Sequence, residues 1–106
     1  MIIVTTDSVA GTRITKTLGL VCGNTVRARH IGRDIIAALK GIVGGEVHEY
    51  TKLLAESREQ ALDQMSIQAE VLGANAIVRA TLLTSYLSAN MAEMLAYGTA
   101  VILEDD

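Results

Sequence analysis

Residues 33–72, RDIIAALKGIVGGEVHEYTKLLAESREQALDQMSIQAEVL, read as a helix, a Gly44-Gly45 break and a longer helix. In the first helix, about 31–43, Ile35, Ile36, Leu39, Ile42 and Val43 share one face at helical spacing. Asp34 sits in its first turn, where a negative charge suits the helix dipole. The second helix, about 49–72, carries an inner stripe of Leu54, Ala61, Met65, Ala69 and Leu72, with Gly73 as a left-handed cap. It also carries a second stripe, Leu53, Gln60, Gln64, Ile67 and Val71, in which no residue is charged. A helix packed on a single core should be charged there, so this stripe reads as a second contact surface.

Outward from the helices, Ile2, Ile3, Val4, Thr5 and Thr6 form a short β-branched run that predicts a strand. Asp7, Ser8 and Gly11 mark a turn. The Thr-, Val-, Ile- and Leu-rich run 12–28, interrupted at Gly19 and at Gly23-Asn24, predicts a bent strand or two short ones. Runs 76–84 and 94–103 predict two more strands, with 85–93 connecting them. The order β, β, α, α, β, β predicts a single α+β domain over 1–106, in two layers, with an antiparallel sheet and two helices on one face.

Composition narrows the function classes. Half of the 106 residues are hydrophobic, but Phe and Trp are absent, so the core is aliphatic. A chain this short buries only about 60–65% of its unfolded surface, which makes self-association a natural source of further burial. A net charge of −3 gives no general attraction to nucleic acid or to an anionic membrane. Tyr50, Tyr86 and Tyr97 are too scattered for a base-stacking platform. The single cysteine, Cys22, excludes an internal disulfide, and a reduced, cytoplasmic protein is expected. The first residues lack the basic and long apolar regions of a signal peptide, and no apolar run reaches the ~20 residues of a membrane helix.

Charge is also distributed unevenly. Between Gln64 and Ala92 only Glu70 and Arg79 are charged, and Leu82, Leu83, Tyr86, Leu87 and Met91 fall in that stretch. Leu82 and Leu83 are adjacent, so both faces of the strand carry an apolar side chain. Either both faces are buried or one meets another subunit.

Candidate chemistry is sparse. Cys22, His30 and His48 are the available soft metal ligands, but none stands at the short pair spacing usual for zinc. Cys22 within a strand reads as a small buried hydrophobe, and His48 beside Glu46 and Glu49 as a solvated helix-start residue. Arg27, Arg29, His30, Arg33 and Lys40 gather near the start of the first helix, where anions are favoured. No glycine-rich phosphate loop accompanies them, and subunit salt bridges explain the cluster more simply. No catalytic motif surrounds Cys22 or either histidine, so neither an enzyme nor a cofactor is expected.

The segments VTTDSVAG (4–11), GLVCGNTVRARHIGRDI (19–35), GIVGGEVHEYTKLLAESREQAL (41–62), GANAIV (73–78) and LAYGTAV (95–101) together resemble the YbjQ family of small bacterial and archaeal proteins. The resemblance runs in order through nearly the whole chain. It implies a dodecin-subunit-like α+β fold and a ring-like homopentamer in which additional strands join neighbouring subunits. It also brings a heavy-metal-binding label, for which the residues above offer no ligand set. After GANAIV, relatives resemble G-V-R-F-D-T-S-E-I, whereas this chain has Leu83 and Tyr86 at the acidic positions. Ile67 likewise replaces a typically charged helix residue.

The sequence therefore predicts an assembly protein, a homopentamer with an additional apolar contact surface made by Gln64, Ile67, Val71, Leu83, Tyr86 and Leu87. Its partners are copies of itself, and the surface would recruit further copies or a second protein, as in a larger natural or designed cage. The alternative is a small-ligand or heavy-metal-binding protein with its site at a subunit junction, drawing on Cys22, His30 and the nearby arginines.

Overall fold

The computed structural model of the chain describes residues 1–28, 43–88 and 91–106. Strands β1 (Ile2–Ile3) and β2 (Thr12–Ala28), helix α1 (Val43–Val71), and strands β3 (Ala76–Ser88) and β4 (Met91–Asp105) follow in chain order. The strands form one sheet in the order β1-β3-β4-β2. β4 runs antiparallel to both β2 and β3, while β1 is parallel to β3.

Two expectations about the fold are corrected. The sheet is mixed, not antiparallel throughout. Among the described residues one helix packs on it, not two, and the helix expected over 31–43 falls almost wholly outside those residues. The mixed pairing follows from the connections. β1, β2 and β3 all run the same way, so β1 and β2, at opposite edges, need a crossover. Residues 4–11 provide it under the helix-free face. There Val4 and Val9 pack on Ala76, Val78, Val101 and Leu103. The two-residue β1 is too short to show any periodicity in the sequence.

The Gly44-Gly45 pair does not interrupt the helix, because α1, described from Val43, runs through it. At the other end Gly73 takes φ +86°. Its amide donates to the Glu70 carbonyl and that of Ala74 to the Ala69 carbonyl, the double bond of a Schellman cap.

The main core lies between α1 and the sheet. Ala61, Met65 and Ala69 meet Val21, Ile77, Met94, Ala96 and Ala100. Ser57 is also buried, its hydroxyl donating to the Leu53 carbonyl and its carbonyl accepting from the Thr25 hydroxyl. Alanines at these places, with Gly23 on β2, bring the helix unusually near the strand. A Cβ on Gly23 would stand 2.7 Å from both Gln64 Cβ and Met65 N, and closer still to the Ala61 carbonyl.

β2 is one strand of 17 residues that absorbs register shifts between Ile14 and Lys16 and between Thr17 and Gly19. β3 and β4 extend beyond their predicted ends, so most of the expected connection is an antiparallel arm. A bulge between Val78 and Thr81 holds Arg79 at φ 53°. It turns the Arg79 and Ala80 amides outward, to the carbonyls of Thr6 and Val4.

Candidate interaction surface

Strand pairing places the exposed apolar residues. On the helix-free face the rungs run Leu20–Thr99, Thr81–Tyr97–Cys22 and Leu83–Leu95–Asn24. Leu20 is 73% exposed, and Val26 and Leu83 about half. Cys22 is also exposed, which corrects the expectation of a buried thiol. Even-numbered residues of β2 between Leu20 and Val26 point away from the helix, and residues 4–11 cover only the other end of that face.

On the helix side, Leu82 pairs with Ala96 and Tyr86 with Ala92, out on the arm. Leu82 is 41% exposed and Tyr86 65%. The second stripe of α1 does not point straight away from the core. It lies along the outer edge of β2, because the Gln68 side-chain oxygen accepts from the Cys22 amide at 2.9 Å and that of Gln64 from the Asn24 amide at 3.0 Å. Ile67 (60% exposed) and Val71 (81%) share that flank.

Five of the six predicted contact side chains are described, and they occupy three places. Gln64 is bound to the edge of β2, with Ile67 and Val71 beside it. Leu83 lies on the helix-free face of the arm, and Tyr86 on its helix side at the opposite edge of the sheet. The side chain of Leu87 is outside the described residues. The sequence showed these residues to be uncharged but not that they belong to different faces. It also missed Leu20 and Gln68.

Little here fits a metal centre. Among the described residues no three His, Cys, Asp or Glu side chains converge. Cys22 is flanked along its rung by Tyr97, and Glu93 is engaged with the Asn24 side-chain amide at 3.1 Å. His30, Arg29, Arg33 and Lys40, and the side chains of Arg27 and His48, lie outside the described residues. The ion pair seen joins Arg13 and Glu104 at 3.6 Å across β2 and β4, with both side chains more than half exposed. Its contribution to stability is small. No helix among the described residues is long and apolar enough to cross a membrane.

A family model described as "Putative heavy-metal-binding" matches residues 1–104. The chain belongs to the YbjQ family. Relatives of this YbjQ-family chain carry the designation UPF0145. One from Dehalococcoides mccartyi is 54% identical, covering 98% of this chain and all of its own. One from Methanosarcina acetivorans is 52% identical over 95% of each chain, and one from Clostridioides difficile 51% identical over 100% and 95%. A crystal structure of a protein of unknown function from Pediococcus pentosaceus superposes with a TM-score of 0.67 over 98% of both chains. At 15% identity that likeness concerns the YbjQ fold alone.

Proposed function

We propose that this YbjQ-family chain is an assembly subunit that joins copies of itself into a homopentameric ring. The observation that carries this reading is the pair of exposed apolar flanks at opposite edges of the sheet. Ile67 and Val71 flank the β2 edge, while Leu82 and Tyr86 project from the β3 side of the arm, also on the helix side. A flank of one copy set against the arm of the next makes a head-to-tail contact. Such contacts close into a ring when the rotation between copies divides a full turn.

Ile67, Val71 and Tyr86 are each more than half exposed, so a contact between copies would remove apolar surface from water. The number five rests on the family resemblance. This reading assigns the chain no catalysis and no cofactor. Contact with a second protein, or a place in a larger cage, would use Leu20, Val26 and Leu83 on the helix-free face.

Native mass spectrometry tests the proposal. The expected species is five times the 11.3 kDa chain. Val71→Asp and Tyr86→Glu should each dissociate it, because either places a charge in an apolar contact. A monomeric wild type would overturn the reading, as would a pentamer indifferent to both substitutions.

A further inference from the structure

We propose that Gln64 and Gln68 form an edge lock on β2, occupying its outer amides so that a strand of another copy cannot add there. An edge strand presents unpaired N–H groups to any extended chain. Here two of them, on Cys22 and Asn24, already donate to glutamine oxygens at 2.9 and 3.0 Å. The match is geometric. Residues four apart on a helix rise about 6 Å, and outward-facing residues two apart on a strand are about 6.7 Å apart. A Gln-x3-Gln pair running antiparallel to the strand therefore meets successive outer amides.

Gly23, between the two amides, lets the helix backbone come close enough for the short glutamine side chains to reach. Gln60 stands one step further along the same series, and it too is partnered. The lock has a purpose in this fold. β2 and β3 run in the same direction, and β3 beyond residue 80 has no described neighbour on its outer side. Copies joining β3 to β2 would extend one sheet without limit. With the centre of β2 closed, a neighbouring copy cannot continue the sheet there, and copies meet elsewhere, at an angle that can close a ring.

Amide hydrogen exchange by NMR, combined with light scattering, tests the lock. Gln68→Ala should speed exchange at Cys22 by ten-fold or more, and Gln64→Ala should do the same at Asn24. Gln68→Glu, which keeps an acceptor, should leave Cys22 slow. The double alanine variant should form polymers heavier than the wild-type species, visible as sheets or fibres by electron microscopy. Unchanged exchange in the alanine variants would overturn the proposal, and so would faster exchange with no change in mass. If the double variant does not fold, Gln68→Ala alone carries both measurements. The exchange readout does not depend on whether the wild type is a pentamer.

Discussion

A methyl group at position 23 would collide with the backbone of α1 at Ala61 and Met65. Backbone cannot swing aside as a side-chain end can, so Gly23→Ala should cost about 2–3 kcal/mol, the upper part of the range for overpacking. Urea unfolding would read this as a lower midpoint with an unchanged slope. Gly73 is needed for another reason, its φ of +86°. Gly73→Ala should cost about 1–2 kcal/mol, because a side chain there meets the left-handed penalty. The second role is legible in a sequence, since a glycine after an apolar stripe marks a helix end. The first is not, because a close approach between residues about forty apart leaves no local sign.

Among the elements, α1 does two jobs with adjacent faces. Its inner stripe was readable from spacing, and Ala61, Met65 and Ala69 are indeed fully buried. Met65 is the largest of them, and Met65→Ala should cost about 2–5 kcal/mol by leaving a cavity. Thermal unfolding followed by circular dichroism would show the loss. Leu72, expected in the same stripe, is 46% exposed because the Schellman turn has already left the helix axis. The second stripe was legible as uncharged, but the absence of charge has two causes. Ile67 and Val71 are exposed and apolar, whereas Gln64 and Gln68 are polar groups spent on the edge of β2. Pattern alone cannot separate a contact between copies from a hydrogen bond to the chain's own strand. Both select neutral residues at the same helical spacing.

For the whole molecule, the long sheet sets the exposure. β2 and β4 have 17 and 15 residues. At about 3.4 Å per residue they span roughly 58 and 51 Å, more than the ~43 Å of the helix above them. The crossover 4–11 seals one end of the helix-free face, and the other end and the arm remain open. Assembly through such surfaces should be driven by apolar burial. The mass measured by light scattering should therefore stay the same from low salt to 1 M sodium chloride, where charge-driven contacts would be screened.

The sequence by itself determined the family, the α+β class, the inner helix stripe and the Gly73 cap, because each rests on local spacing or on a motif read in order. Only the tertiary structure decided the parallel placement of β1 and the passage of α1 through Gly44-Gly45. The same holds for the exposure of Cys22 and the division of the uncharged residues among three places. These depend on which strands become neighbours and on how near the helix lies to β2. Such long-range relations arise from packing the whole chain, and no window of the sequence contains them.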